Sequence, residues 1–423
     1  MIRPLTLCLL AACEAPKTFD SADFAPPDTA DTSVDTSTDT APEPRTLIAT
    51  ISGYALPRRD QVYDIAALPS AGPGCVAIGD PYSDGFTGAV YVACPGAIDL
   101  PDDALTVWTG SAENQALGCN IEIGTLDGLE VIGSSEFADP TYAGRGMIWP
   151  TAAPSGLAAD GAIVDVSGAN EGDGFTGGYF GTMIVPMGDM IIASQTNAVP
   201  YLLGATYTDG LTIDDFAPLV DGGSGYVDAS TGGFAGYDAS TGDDGIAVAS
   251  FGGIVQHLGP DGAPDWWADI ESDGDGEYPW PEPNNVTLWT NTTRLHTSEI
   301  VVSTVSRETR ADDEVTFSRI FEPTTGAVLD DLSNVFGVVS GELDGIEWRA
   351  LGVEECDPSY SDCRAGYIEI ETASGSFVVS LPFEADTFPD AGCLIGLTSD
   401  GVSEVGWFCK DQRYGGFLTI SVE

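Results

Sequence analysis

One unit recurs along this chain and limits what it can fold into: an apolar strand, a tight turn of Gly and Asp, and an apolar strand that returns. The clearest copy runs from Gly74 to Val92, with Asp84-Gly85-Phe86-Thr87-Gly88 at its turn. A variant pairs Leu129–Ser135 with Gly144–Trp149. A third copy pairs 162–170 with 172–185 and repeats the Asp-Gly-Phe-Thr-Gly string at Asp173–Gly177. Looser copies start at Ile246, Glu299, Trp348 and Gly392, with Leu211-Thr212-Ile213 as a weaker member. The spacing is roughly 35 to 55 residues, the range of stacked or radial repeat architectures. Short apolar runs closed by Gly, Asp, Pro or Ser, without long amphipathic heptads, place the chain in the all-β class.

Ile78-Gly79-Asp80-Pro81 with Gly88-Ala89-Val90-Tyr91-Val92, and Ser167-Gly168-Ala169-Asn170 with Gly178-Tyr179-Phe180-Gly181, resemble the FG-GAP repeats of integrin-alpha-type proteins. The match is good over about residues 61 to 190 and faint beyond. The resemblance implies a β-propeller of four-stranded antiparallel blades around a central channel, and residues 47–423 suit about seven. A pair of β-sandwiches or a solenoid is the competing architecture. A blade cannot bury two apolar faces alone, so neighbours must close a ring. Thr46–Ser52 and Phe417–Val422 both read as strands, and the expectation is that they share a blade.

The hairpins also suggest disulfides. Cys75 and Cys94 flank one, Cys393 and Cys409 another, and Cys356 and Cys363 bound the loop of a third. Each bridge would contribute about 2–4 kcal/mol. Cys119 is left over and is expected to be buried and inert.

The N-terminus is a different kind of sequence. Arg3, an apolar run and Leu10-Ala11-Ala12-Cys13 have the layout of a secretory signal, too short for a permanent span of about 20 apolar residues. The last four residues resemble the lipobox of bacterial lipoproteins, which implies a diacylglyceryl group on Cys13; an ordinary signal peptide is the alternative. Residues 1–13 are thus read as signal peptide and 14–46 as a disordered acidic tether rich in Asp, Thr and Pro, which cannot bury enough apolar surface to offset its ordering entropy. This predicts an extracytoplasmic, lipid-anchored protein of the outer membrane or cell surface.

The formal net charge is −52, from 66 acids against 14 bases. Nucleic acid as a partner is excluded, because phosphate recognition needs clustered Lys and Arg. For most of the carboxylates the acidity reads as solubility, or as life in high salt or calcium where their self-repulsion is screened, with cation binding as the sharper alternative.

Integrin-type repeats carry a calcium loop between the first two strands of a blade. The matching stretches here, Leu68–Gly74 and Thr125–Gly128, lack its run of carboxylates, which argues against blade calcium and integrin-like recognition. A better calcium candidate spaces Glu271, Asp273 and Asp275 by two, with Gly276 next and Glu282 further on, against a plain solvated acidic loop. Trp266, Trp267, Tyr278 and Trp280 nearby could stack on a sugar or grip a protein, or else pack as blade core. The near-duplicate segments at Tyr226–Gly232 and Tyr237–Gly242 read as a tandem slip in adjacent turns, without a site.

Catalytic signatures are not evident. His257, in an apolar strand, reads as structural, and no nucleophile elbow, phosphate loop or zinc spacing occurs. The expectation is a non-catalytic binding or adhesion module for a protein or glycan ligand. The alternatives are a propeller hydrolase acting on polysaccharide and a structural envelope component.

Overall fold

The computed structural model describes residues 45–57, 63–111, 116–136, 144–167, 180–195, 201–219, 238–249, 254–269, 285–308, 313–356, 363–382, 393–409 and 412–423. The chain forms seven blades in a ring, each an antiparallel set of four strands ordered from an inner strand at the axis to an outer strand, and Gly156–Leu157 adds in parallel to the outer strand of blade 1, Thr106–Thr109. The inner strands, blade by blade, are Asp64–Ala67, Ile121–Leu126, Phe180–Met187, Asp238–Gly242, Asn285–Arg294, Val335–Leu343 and Ile395–Ser399. Among the described residues no helix is long and apolar enough to cross a membrane.

The core divides into seven clusters, one at each blade–blade interface. Strand geometry explains this division, since successive side chains leave opposite faces. In blade 1, Ala77 joins Val90, Trp108, Ile132 and Trp149 toward blade 2. Its neighbours Val76 and Ile78 join Tyr91, Phe408 and Phe417 toward blade 7. Blades 6 and 7 share Trp348, Ile370, Leu397 and Trp407 in the same manner. The indoles of Trp108 and Trp149 stack at 5.4 Å with an interplanar angle of 10°. Each donates Nε1–H to a carbonyl, Pro154 O at 3.1 Å and Ala158 O at 2.7 Å.

The ring closes as expected. The first strand, Leu47–Ala55, is the outer strand of the last blade and pairs in unbroken antiparallel register with Tyr414–Val422. Trp407 Nε1 donates to Ser52 O at 3.1 Å. Tyr54 packs on Phe417 with ring centroids 5.7 Å apart. Gly415, directly opposite Tyr54, makes room for it: a Cβ there would lie 2.4 Å from the phenolic oxygen.

Two parts of the repeat reading need correction. The first Asp-Gly-Phe-Thr-Gly string links the second and third strands of blade 1, with positive φ at Asp84, Gly85, Phe86 and Gly88. Gly88 is required there, because a Cβ would meet Leu117 N at 2.1 Å. The third copy is not equivalent. Val164–Ser167 is the outer strand of blade 2 and Phe180–Met187 the inner strand of blade 3, so this copy bridges two blades. The Gly392 copy is likewise displaced, onto the first and second strands of blade 7. Leu211-Thr212-Ile213 is not a strand. Asp215 caps Thr212 N and a 3-10 turn follows over Ile213–Asp215, a local hydrogen-bond closure that outcompetes sheet pairing.

Disulfides Cys75–Cys94 and Cys393–Cys409 form as the hairpins suggested. Cys356 and Cys363 lie directly opposite in the backbone register of blade 6. Cys119 is only half-buried, and its thiol donates to Ala116 O at 3.3 Å.

Candidate functional site

The inner strands enclose a cavity of about 180 Å³ on the ring axis. Six of the seven blades contribute lining residues, and three of these are carboxylates: Asp64 from blade 1, Glu122 from blade 2 and Asp238 from blade 4. All three are nearly inaccessible, at 6%, 3% and 6% exposure. They are held by backbone N–H groups of other blades. Asp64 Oδ2 accepts from Ile121 N at 2.7 Å. Glu122 Oε1 accepts from Ala239 N at 3.0 Å and from Asn120 Nδ2 at 3.0 Å. Asp238 Oδ2 accepts from Thr292 N and, at 3.0 Å, from Thr292 Oγ1. Hydroxyls continue the belt: Thr293 Oγ1 donates to Val338 O, and Ala67 N donates to Thr398 Oγ1. The axial side chains thus tie blade to blade while they line the cavity.

Burial shapes the electrostatics here. Desolvation pushes the Glu122 carboxyl well above the usual carboxylate range, and the nearby charges of Asp238 and Asp64 push it further. Bonds from Asn120 and Ala239 oppose this with smaller effect. The one guanidinium in the lining, Arg294, is already engaged. Its Nη1 pairs with Asp244 Oδ1 at 2.6 Å, and its Nη2 donates to Gly245 O at 3.3 Å.

Beside Arg294, His257 is 2% exposed. Its Nδ1 lies 3.0 Å from Asp265 Oδ2, and its ring stacks on Trp266 at 5.4 Å. Burial, reinforced by Arg294, depresses its basicity against the opposing pull of Asp244 and Asp265. A neutral, stacked and bonded imidazole at a blade joint is a packing element, as the sequence suggested.

The turns between first and second strands converge on one face around the axis. Contacts from a turn to the turn or inner strand of the neighbouring blade establish this: Asp127 N donates to Gly188 O, His296 N to Ser340 Oγ, and Glu342 N to Gly401 O. Six of the seven turns carry acids: Asp127, Asp189, Asp243 with Asp244, Glu299, Asp344 and Asp400. Asp127, Asp189, Asp243 and Asp344 are exposed. This face is a ring of negative charge around the mouth of the axis.

The residues singled out from the sequence fare unevenly. Trp266 takes the core alternative: it is 8% exposed, packs against Phe321, and donates Nε1–H to Pro323 O at 2.6 Å. Trp267, on the other face of that strand, is half-buried. Glu271, Asp273, Asp275, Glu282, Tyr278, Trp280 and the lipidation candidate Cys13 lie outside the described residues. Sequence reasoning missed Asp64, Glu122 and Asp238. Of the Tyr237–Gly242 segment, read as a turn, Asp238–Gly242 is the inner strand of blade 4 and supplies Asp238. The available signal was an acid between two apolar residues, Ile121-Glu122-Ile123, at the start of a strand.

No protein-family model matches this chain, and no curated protein matches it in sequence. Among solved structures, the chain is similar to the Dos1 propeller, at 10% identity and a TM-score of 0.43, over 87% of this chain and 93% of that one. It is also similar to BBS1N, solved in complex with ARL6DN, at 10% identity and a TM-score of 0.35, over 77% and 79% of the two chains.

Proposed function

We propose that this protein is a non-catalytic binding or adhesion module, displayed outside the cytoplasm by a lipid on Cys13, that takes a protein or glycan ligand on its acidic turn face. The observation that carries the reading is the convergence of acidic turns from six blades on one side of a closed ring. Seven interlocked interfaces make that face rigid, so little ordering cost is left for binding. Its charge selects ligands that present cations or reach the face through bound calcium, and disfavours anionic ones. The signal-like N-terminus and the acidic spacer suit display at a membrane surface.

The test is incubation of the purified protein with candidate glycans and extracellular proteins, with and without added calcium. Retention of a ligand that is recovered unchanged in mass supports the reading. Release of shortened oligosaccharides contradicts it and favours the hydrolase alternative. Growth with a radiolabelled fatty acid tests the anchor: label on the protein that is lost in Cys13→Ser supports display by lipid, and an unlabelled protein refutes it.

A further inference from the structure

A strand at a sheet edge presents a row of unpaired N–H and C=O groups, and proteins blunt such edges with charge, proline or a covering segment. The outer strands of blades 2 to 5 carry such a device: Asp165, Pro218, Pro264 with Asp265, and Asp330 with Asp331. In blade 1 Gly156–Leu157 covers the edge. The outer strands of blades 6 and 7 have neither charge nor proline, in a chain with 66 acids, and that of blade 7 is the longer, at nine residues against six.

Hydrogen bonding fixes which groups of Leu47–Ala55 face outward. Thr46 and Glu423 exchange both backbone bonds, and the register from Leu47 to Ala55 is unbroken. Even-numbered residues therefore bond inward to Tyr414–Val422, and odd-numbered ones turn their N–H and C=O outward. Ala55 shows the alternation: its N donates to Ile98 O at 3.0 Å and its O accepts from Leu100 N at 3.2 Å. For Leu47, Ala49, Ile51 and Gly53 the outward groups have no partner among the described residues.

These positions match their own copy. Turned about a twofold axis through Thr50, the strand pairs antiparallel with itself, Leu47 against Gly53 of the second copy and Ala49 against Ile51 of the second copy, so that all the free groups pair. The side chains opposed between them are uncharged: Thr50 meets its own equivalent, and Ile48, 36% exposed, meets Ser52. The ladder ends where Ile98–Leu100 occupies the edge at Ala55. There Arg45 of the second copy, its side chain 61% exposed, comes beside the exposed Asp99. A net charge of −52 sets one copy against another over most of the surface, whereas this neutral strand, with Arg45 at its start and Asp99 beyond its end, is complementary to itself. We propose that the outer strand of blade 7 is a dimerisation edge, on which a second copy of this chain adds its own Leu47–Gly53 in antiparallel register about Thr50. The proposal is independent of the ligand assigned to the acidic turn face.

The test is sedimentation equilibrium of the full chain carrying Cys13→Ser, which excludes lipid-driven association, over a concentration series up to about 1 mM at low and high sodium chloride. A reversible monomer–dimer equilibrium is expected. It should tighten at high salt, because the like net charges are then screened, whereas capture of a cation on the turn face weakens with salt. Thr50→Lys, at an exposed side chain, sets like charges directly opposite at the axis and should weaken the dimer about fivefold or more. Arg45→Asp should weaken it, and Arg45→Asp combined with Asp99→Arg should restore it. Oxidative cross-linking reads the register. Thr50 would lie in a non-hydrogen-bonded pair, where Cα atoms approach to about 4.5 Å, so Thr50→Cys should give a disulfide-linked dimer. Ser52→Cys, which faces Ile48 of the second copy, should not. A chain that stays monomeric over the whole series, a dimer indifferent to Thr50→Lys, or equal cross-linking of the two cysteine variants would each overturn the proposal. So would protection of the Ala49 and Ile51 amides by an added extended peptide in a chain that remains monomeric, which would assign the edge to another polypeptide.

Discussion

Tyr54 offers a quantitative handle on how the ring is closed. It sits on the first strand of the domain, 1% exposed, in the cluster shared by blades 7 and 1. Its hydroxyl is buried and has no hydrogen-bond partner, and the same burial suppresses its ionisation. Tyr54→Phe keeps the ring packed on Phe417 and removes only the unsatisfied group. A buried hydroxyl without a partner costs about 1–3 kcal/mol in proteins, so the variant should be more stable than wild type by about 1 kcal/mol or more. Tyr54→Ala also removes the ring. Truncating a buried aromatic costs about 3–5 kcal/mol, and the hydroxyl's relief offsets part of it, which leaves a loss of about 2–4 kcal/mol. The assay is urea unfolding followed by tryptophan fluorescence, with midpoints compared at constant slope. The order Phe above Tyr above Ala is required. A neutral Tyr54→Ala would mean that the first strand contributes nothing to the last blade, and the closure argument would fall. A destabilised Tyr54→Phe would refute the unsatisfied hydroxyl.

Other predictions follow from the axis and the hairpins. Glu122, Glu136, Glu354 and Glu404 all have carboxyls raised above their ordinary range, with burial as the leading cause. The stability they confer is therefore full below the unfolded carboxylate pKa and is lost as pH rises through the folded values. Thermal midpoints should fall from pH 5 toward pH 8, and Glu122→Gln should flatten that slope; a wild-type midpoint that rises with pH over this window would contradict the assignment. Asp103, Asp215 and Glu322, lowered by hydrogen bonds, act in the opposite sense but only at more acid pH. Cys393→Ser opens a loop closed across 16 residues of sequence separation and should cost about 2–4 kcal/mol, read as a lower urea midpoint that reductant no longer changes at that bridge. Gly415→Ala would place a Cβ against the Tyr54 ring and should loosen the first strand, seen as faster amide exchange over Leu47–Ala55 than over Ile395–Ser399.

Much of this architecture was legible because a blade interior writes a plain pattern. Strands buried on both faces are continuous apolar runs, as in Val76–Ile78 and Ala89–Ala93, and a Gly/Asp turn between them marks a hairpin. The terminal strands and both described disulfides followed from that pattern. Where a string of residues was taken as a unit of structure, the reading slipped. Asp-Gly-Phe-Thr-Gly solves a local backbone problem, a turn through positive φ against a neighbouring blade, and says nothing of which two strands it joins. The axial site was hidden for a related reason. An acid alternating with apolar residues, such as Glu122 between Ile121 and Ile123, is the mark of a strand with one wet face. In an inner strand that wet face is the closed channel, and only the ring reveals it. Among 66 acids, no spacing distinguishes the three that meet there. Trp266 was misleading in the opposite sense, since a cluster of indoles in sequence does not separate a surface platform from the wedge between blades that it is.

The most direct test of the binding account is charge reversal on one face. Asp127→Lys, Asp189→Lys and Asp344→Lys, combined in one variant, change exposed turn positions that take no part in the interblade clusters. As the control, Asp84→Lys reverses one charge at an exposed position in the turn between the second and third strands of blade 1, on the opposite face, and is compared with Asp189→Lys alone as the turn-face variant of equal charge change. With a captured ligand in hand, surface plasmon resonance at fixed ionic strength should show binding lost in the turn-face variant and kept in the control. Equal loss in both would reduce the interaction to net charge, and full retention in the turn-face variant would place the ligand elsewhere and contradict the account.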